Sequence, residues 1–250
     1  MACKNSISNG YILHEEGNIV IIATGFVIPS DNAKTGPMIQ IWIIRNDMSP
    51  VAAVKNGGDS ANCFNCKHRG EFEFVDGQLV VVRGRSCYVN VGQAPLAIYN
   101  AYKNGSYPRL DWNDYALYRA LFLDAEVRLG AYGDPCLIPQ QIVRRIVTLS
   151  KLRTGYTHQW RIAGNEWLRE FVMASCDTLA DYYDAKAAGW RTFRVTNAHT
   201  PESQEILCPS ESRGRQCIDC GLCNGARAGV KDIYIVVHGS GASNAFNILQ

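Results

Sequence analysis

The densest chemistry in this sequence lies between Cys208 and Cys223, CPSESRGRQCIDCGLC, which holds four of the chain's ten cysteines. Cys217, Cys220 and Cys223 are spaced CxxCxxC, and Cys208 stands upstream, followed by Pro209. Two intervening residues let the backbone curl so that successive sulfurs face a common centre. Three thiolates so placed can hold three corners of an iron–sulfur cube, and a remote cysteine closes the fourth; in ferredoxin-type sites that cysteine is commonly followed by proline. Gly221 and Gly225 suit a loop that bends tightly around a bulky centre. A structural zinc ion needs a similar number of thiolates, although zinc sites more often use two separated CxxC pairs. The spacing therefore predicts Cys208, Cys217, Cys220 and Cys223 as ligands of a [4Fe–4S] cluster, with zinc as the alternative and plain thiols as the remaining reading.

A second group follows the same logic with less closure. Cys63 and Cys66 form a CxxC in CFNCKHRG, and Cys87 follows in GRSCYVNVGQAP. Three thiolates can hold a cluster with one open iron, to which a small ligand binds. Alternatively His68 or Cys3 completes a zinc or cluster site. The plain alternative is a surface CxxC loop beside a separately buried Cys87. Burial is also the reading for Cys136 and Cys176, which sit in apolar or strand-like surroundings. The two groups can share one metal region or form two.

These loops must be carried by ordered elements. The stretches IVIIATGFVI, IQIWIIR and QLVVVR read as strands. LAIYNAYKNG after Pro95 and WNDYALYRALFL after Asp111, a natural N-cap, read as helices. From Glu126 the order becomes regular. VRLGAYGD, TGYTHQW, FVMASCD, WRTFRVTN and DIYIVVH are strands, with amphipathic PQQIVRRIVTLSKL, short NEWLRE and TLADYYDAKAA as helices between them. Alternation of this kind indicates parallel βαβ units with right-handed crossovers. No glycine-rich phosphate loop follows a strand, so neither a dinucleotide fold nor a P-loop is favoured. A full eightfold barrel takes about 250 residues, and this chain of 250 also holds two cysteine loops. The expected fold is α/β, a partial or distorted (β/α) barrel in one domain over residues 1–250, with cysteine loops at 60–90 and 206–226.

In such barrels the reactive face lies at the carboxyl ends of the strands. Those ends offer Asp134, His158, Asp177, Arg194 and His238. Asp134, His158 and Asp177 are candidate acids and bases and Arg194 a candidate phosphate or carboxylate clamp. The competing reading is that each caps a helix or satisfies buried backbone, Asp177 before TLADYY above all.

Composition bounds the partners loosely. The chain is 47% hydrophobic and 19% charged with a net charge of +2, ordinary for a globular protein. MACKNSISNG lacks the layout of a signal peptide, and the longest apolar stretch, Ile19 to Ile28, is too short to span a bilayer. The expectation is a cytoplasmic protein, where ten cysteines argue for metal or redox use over disulfides. Basic residues cluster at Lys67–Arg69, Arg83 and Arg85, Arg144–Arg153, and Arg213 and Arg215. They could balance thiolate charge or meet phosphates.

The segments KTGPMIQIW, CFNCKHRG, SCYVNVGQ, VRLGAYGD, FVMASCD, GWRTFRV and CP…CIDCGLC together resemble a family of uncharacterised phage- and plasmid-encoded cysteine-rich proteins, over residues 33–238. That family is distantly similar to radical S-adenosylmethionine enzymes in its (β/α) order and early three-cysteine loop. The resemblance implies a cluster-bearing barrel in a host cytoplasm. The hallmark of the radical enzymes is CxxxCxxC on one loop. Here Cys63, Cys66 and Cys87 are split by a strand-like insertion, which counts against S-adenosylmethionine binding. Two functions follow as expectations. One is an iron–sulfur protein acting by redox or group transfer on a nucleotide or nucleic acid. The other is a non-enzymatic zinc- or cluster-stabilised module binding nucleic acid or a host protein. A redox sensor is a third.

Overall fold

The computed structural model describes residues 7–227, 229–238 and 242–245. Eleven strands are present among them: β1 (Gly10–Glu16), β2 (Ile19–Thr24), β3 (Ile39–Arg45), β4 (Glu71–Val75), β5 (Gln78–Arg83), β6 (Glu126–Tyr132), β7 (Leu152–Thr157), β8 (Met173–Cys176), β9 (Thr192–Thr196), β10 (Glu205–Leu207) and β11 (Asp232–Val236). Nine form one mixed sheet in the order β1-β2-β3-β6-β7-β8-β9-β11-β10. β1, β2 and β3 pair antiparallel, and every later pairing is parallel. The chain is thus an α/β protein with a mostly parallel nine-strand sheet. Among the described residues, no helix is long and apolar enough to cross a membrane.

The helices follow from the sequence. α1 (Pro50–Asn56) starts behind Ser49, whose side chain accepts from Ala52 N, and α2 (Ser60–Cys63) is a single turn. α3 (Ala94–Lys103) and α4 (Tyr115–Phe122) come next. The cap of α4 is Asp114, which accepts from Leu117 N, and not Asp111. Asp111 instead closes the preceding turn on Asn113 N, because Trp112 Nε1 is tied back to Leu13 O and holds that turn on the core. α5 (Gln140–Leu149) buries Ile142, Val143 and Ile146 along one stripe. α6 (Leu179–Ala187) is capped by Thr178 in a capping box with Asp181. Two short helices, α7 (Pro209–Arg213) and α8 (Cys217–Cys220), belong to the second cysteine loop.

Alternation along the strands divides the sheet into two faces. On one, Ile41, Ile43, Val127, Leu129, Ala174 and Cys176 pack with residues of α4, α5 and α6 in the main core. Cys176 is fully buried there and Cys136 packs against it half-buried, as their surroundings in sequence imply. On the other face, Val20, Ile22, Trp42 and Ile44 lie under α3, while Met173, Ile233 and Ile235 lie under the second cysteine loop. Between these two clusters the face carries Arg128, Gly130, Thr154 and Ser175 and lines a cavity.

One strand stands apart from the sheet, and one expectation changes. QLVVVR is a strand, but it pairs only with β4 in a separate hairpin whose Phe74, Val81 and Val82 are exposed. Its apolar residues are consecutive, so they cannot all face one side of a two-stranded ribbon. Arg194 does not line the cavity. It lies on the opposite side of β9 from Phe193 and Val195, and is buried in a bidentate pair with Glu205 (Nε–Oε1 2.9 Å, Nη2–Oε2 2.6 Å). The pair clamps the edge strand β10 across β11. Breaking one partner of a buried pair strands a charge. Arg194→Met should therefore cost about 3–5 kcal/mol in urea unfolding, and the double replacement Arg194→Met/Glu205→Leu should recover most of it.

Candidate metal centre

A left-handed glycine starts the site. Gly133 ends β6 at φ +85°, and a Cβ there would lie 2.4 Å from Ile43 O of β3. The close approach turns the chain so that Asp134 N donates to Asn62 O at 2.8 Å, while Asn62 Nδ2 donates to Ile43 O at 3.1 Å. Asn62 therefore ties the first cysteine loop across the carboxyl ends of β3 and β6, with Cys63 next in sequence. His68 O accepts from both Ser86 N (3.0 Å) and Cys87 N (2.9 Å), which brings Cys87 back beside Cys63 and Cys66. The split in sequence is thus closed in space: β4 and β5 are an excursion between two segments that return together.

The second cysteine loop is held from several sides. Cys217 N and Ile218 N donate to Lys34 O and Thr35 O, Gly155 N donates to Cys223 O, and Cys208 N donates to Tyr234 O. Arg191 Nη1 adds bonds to Leu222 O and Gly225 O. Cys208 and Cys223 are buried; Cys217 and Cys220 are half-buried.

Both loops reach one cavity of about 290 Å³, lined by Cys63, Cys66 and Cys87 and also by Cys217. A small adjoining space, lined by Cys208, Cys217, Cys220 and Cys223, shares Lys34, Thr154 and Tyr156 with it. Burial pushes the Cys63 thiol well up, with Cys66 and Cys87 adding to the effect, and it raises Cys87, Cys208 and Cys217 as well. Cys223 is pushed up to about 12, again chiefly by burial. Protein cations answer this in part. Arg128 is buried beside Cys217; burial works against its charge, but Tyr88, Tyr156 and Cys217 together hold its pKa above the usual value. Arg128 Nη2 donates to Tyr88 Oη at 2.6 Å. Lys34 Nζ lies 3.4 Å from His238 Nε2. Among the described residues neither cation pairs with a carboxylate.

The rim residues assemble unevenly. Asp134 lines the cavity and accepts from Thr157 Oγ1 (2.7 Å), His158 N (2.9 Å) and Cys136 N (3.0 Å), so its carboxylate positions His158. Asp177 is not the cap of α6. Thr178 takes that role, which frees the buried Asp177 carboxylate for His68 Nε2 at 3.0 Å and His158 Nε2 at 3.5 Å. Burial opposes the Asp177 charge, yet the two histidines hold its pKa well below the carboxylate range. Burial likewise opposes the His158 imidazolium, but Cys66 and Asp177 hold it well above its ordinary value. Cys66 Sγ lies 3.9 Å from His158 Nε2. His238 is exposed at the cavity edge and paired with Glu211.

The donor atoms of His68, His158 and Asp177 all lie within 4.8 Å of one another, so this group could hold a metal ion. Among the described residues the cysteine sulfurs form no group that tight. Cys3 lies outside the described residues. No family model, curated protein or solved structure matches this chain. The resemblance to phage-encoded cysteine-rich proteins therefore rests on the quoted motifs alone.

Sequence reasoning named most of the residues that meet here and missed their supports. Asn62, Ser86 and Thr157 carry no spacing signal, because each acts through hydrogen bonds to residues distant in sequence. Arg128 sits alone in a strand. Most of the basic clusters are committed internally: Arg69 to Asp59, Arg83 to Glu71, Arg85 to Cys87 O and Val89 O, and Arg153 to Glu170 O.

The glycine turn is testable with an internal control. Gly105 also has positive φ, at +70°, but a Cβ there meets nothing within 4 Å. Gly105→Ala should cost about 1–2 kcal/mol of backbone strain. Gly133→Ala should cost clearly more and loosen the first cysteine loop, read as a larger fall in thermal midpoint and faster alkylation of Cys63 and Cys66. Equal losses would show that the contact with Ile43 does not hold the turn.

Proposed function

We propose that this chain is an iron–sulfur protein built on a partial (β/α) barrel. Cys208, Cys217, Cys220 and Cys223 ligate one [4Fe–4S] cluster. Cys63, Cys66 and Cys87 contribute to a second metal region across the same cavity. The observation that carries the reading is the meeting of two cysteine groups, from loops distant in sequence, on two adjoining spaces that share Cys217.

The triple CxxCxxC spacing of Cys217, Cys220 and Cys223 favours a cluster over a single zinc, whose sites more often use two separated CxxC pairs. The electrostatics suit any anionic thiolate centre. Buried thiols with raised pKa values need a cation to ionise, and Arg128 and Lys34 stand ready to balance an anionic cluster.

The barrel-like curl rests on distances across the sheet. β3 and β11 are five strand positions apart, about 24 Å in a flat sheet at about 4.8 Å per strand. Lys34 before β3 nevertheless reaches His238 after β11. The cavity extends along the sheet face to the carboxyl ends of β6, β7 and β11, where such scaffolds do chemistry, so the reading extends to redox or group transfer on a small ligand. S-adenosylmethionine is not part of the proposal.

Protein prepared without oxygen should carry about four irons and four labile sulfides for the second loop, with a broad visible absorption that bleaches on reduction. Cys217→Ser and Cys220→Ser should each abolish it. A colourless protein with stoichiometric zinc and no sulfide would overturn the reading in favour of a zinc-stabilised binding module. Arg128→Met should shift the cluster's reduction potential negative, since a neighbouring cation stabilises the more negative reduced state. Spectroelectrochemistry reads the sign.

A further inference from the structure

His68, His158 and Asp177 form a constellation that the cluster does not use. We infer that they are a mononuclear site for one divalent first-row transition metal, zinc or iron(II), with its remaining position facing the cavity. The inference names a ligand of the same cavity as the proposed function, but it does not need the [4Fe–4S] cluster to exist.

The geometry has four parts. His68 Nε2 and His158 Nε2 both point at one carboxylate oxygen, Asp177 Oδ1, at 3.0 and 3.5 Å. Two imidazoles and a carboxylate are the donor set that suits zinc and non-haem iron(II). The other nitrogen of His68, Nδ1, lies 2.9 Å from Ser86 Oγ, and Ser86 is itself buried. A ligating histidine almost always donates its second N–H to such a partner, which fixes the tautomer and aims the free lone pair at the metal. His158 is aimed through its backbone, since its N–H and the Thr157 hydroxyl both donate to Asp134. The fourth part is access. His68 and His158 line the cavity while Asp177 lies behind them, so an ion held by all three presents its open side to the cavity and to Cys66. Three protein ligands with an open position distinguish a ligand-exchanging site from a closed structural one.

The arrangement also resolves an electrostatic cost. Asp177 is 2% exposed, and a buried carboxylate needs compensation. A dication held by the carboxylate and both Nε2 atoms, which face it at 3.0 and 3.5 Å, supplies it.

The test is cobalt(II) titration of the full chain with Cys208, Cys217, Cys220 and Cys223 replaced by serine, so that no [4Fe–4S] cluster can contribute. About one equivalent of Co²⁺ should bind with the visible absorption of a low-coordinate ion. His158→Gln and Asp177→Asn should remove that absorption. Ser86→Ala should leave the ligands in place and weaken affinity about 10- to 100-fold. Should Asp177→Asn fail to fold, judged by circular dichroism, the half-buried His158→Gln and the Ser86→Ala variants decide. Undiminished Co²⁺ affinity in folded His158→Gln overturns the site. So does absorption that is lost on replacing Cys63 and Cys87 but not the histidine. In the unreplaced chain, His158→Gln should leave second-loop iron and sulfide intact. A protein that lacks iron and sulfide but binds Co²⁺ through the histidines would therefore sink the cluster and keep this site.

Discussion

Strict alternation along parallel strands is the constraint on which the rest of this molecule depends. Successive side chains of β6 to β11 point to opposite faces. The face that takes Val127, Leu129, Ala174 and Cys176 is sealed by α4, α5 and α6. The opposite face takes Arg128, Thr154, Tyr156 and Ser175, and these residues line a cavity. Moving any of these strands by one residue would bring its apolar set into that cavity and bury its polar set under helices, so the register that builds the core also builds the site. Gly130 shows where the rule is relaxed. The β3–β6 ladder pairs Gln40 with Arg128 and then Trp42 with Tyr132, so β6 carries extra residues, with Gly130 at φ +80° among them. Bulges of this kind re-aim a strand next to functional sites, and here the chain emerges from it at Gly133 and Asp134.

Charge on buried groups sets the second level of organisation. Sulfur, imidazole and carboxylate groups removed from water each shift toward their neutral forms unless a partner intervenes. The groups on and around the cavity show both outcomes. The thiols of Cys63, Cys87 and Cys223 shift up because burial dominates around them. Asp177 stays ionised against the same penalty because two histidines face it. The cysteine walls thus lack the compensation that the histidine–aspartate group already has. Arg128 and Lys34 supply part of it, from positions against Cys217 and Cys208.

Much of this was legible in the sequence, for reasons that differ by element. The strands from VRLGAYGD onward announced themselves because buried parallel strands are short apolar runs separated by helices, and β3 matched IQIWIIR residue for residue. The gathering of Cys208, Cys217, Cys220 and Cys223 on one small space was legible because close spacing is a local property. What was not legible is whatever depends on return contacts. β10 is only three residues long, and it exists because Glu205 reaches Arg194 across β11. Arg194 itself has the right type and place for a rim clamp; alternation along β9 and the buried Glu205 carboxylate put it on the other face. Asp177 looked like a helix cap until Thr178, one residue on, met Asp181 in a capping box. The bringing of Cys87 to Cys63 is invisible in spacing, since it runs through two backbone bonds to His68 O.

The two cysteine walls differ in a way that bears on their roles. The second loop is enclosed: its backbone is bonded to β7, to β11, to residues 34 and 35 and to Arg191, and two of its four sulfurs are buried. A site with all its ligands supplied and its loop tied on every side suits a centre that keeps its coordination. The first loop supplies three half-buried sulfurs directly to the larger cavity, beside histidines that share a carboxylate. Fewer ligands and more access suit a centre that exchanges one. Under the proposed reading, a small molecule in the cavity would therefore bind at the wall of Cys63, Cys66, His68 and His158, and the wall of Cys217 would serve it at a distance, as a source or sink of charge.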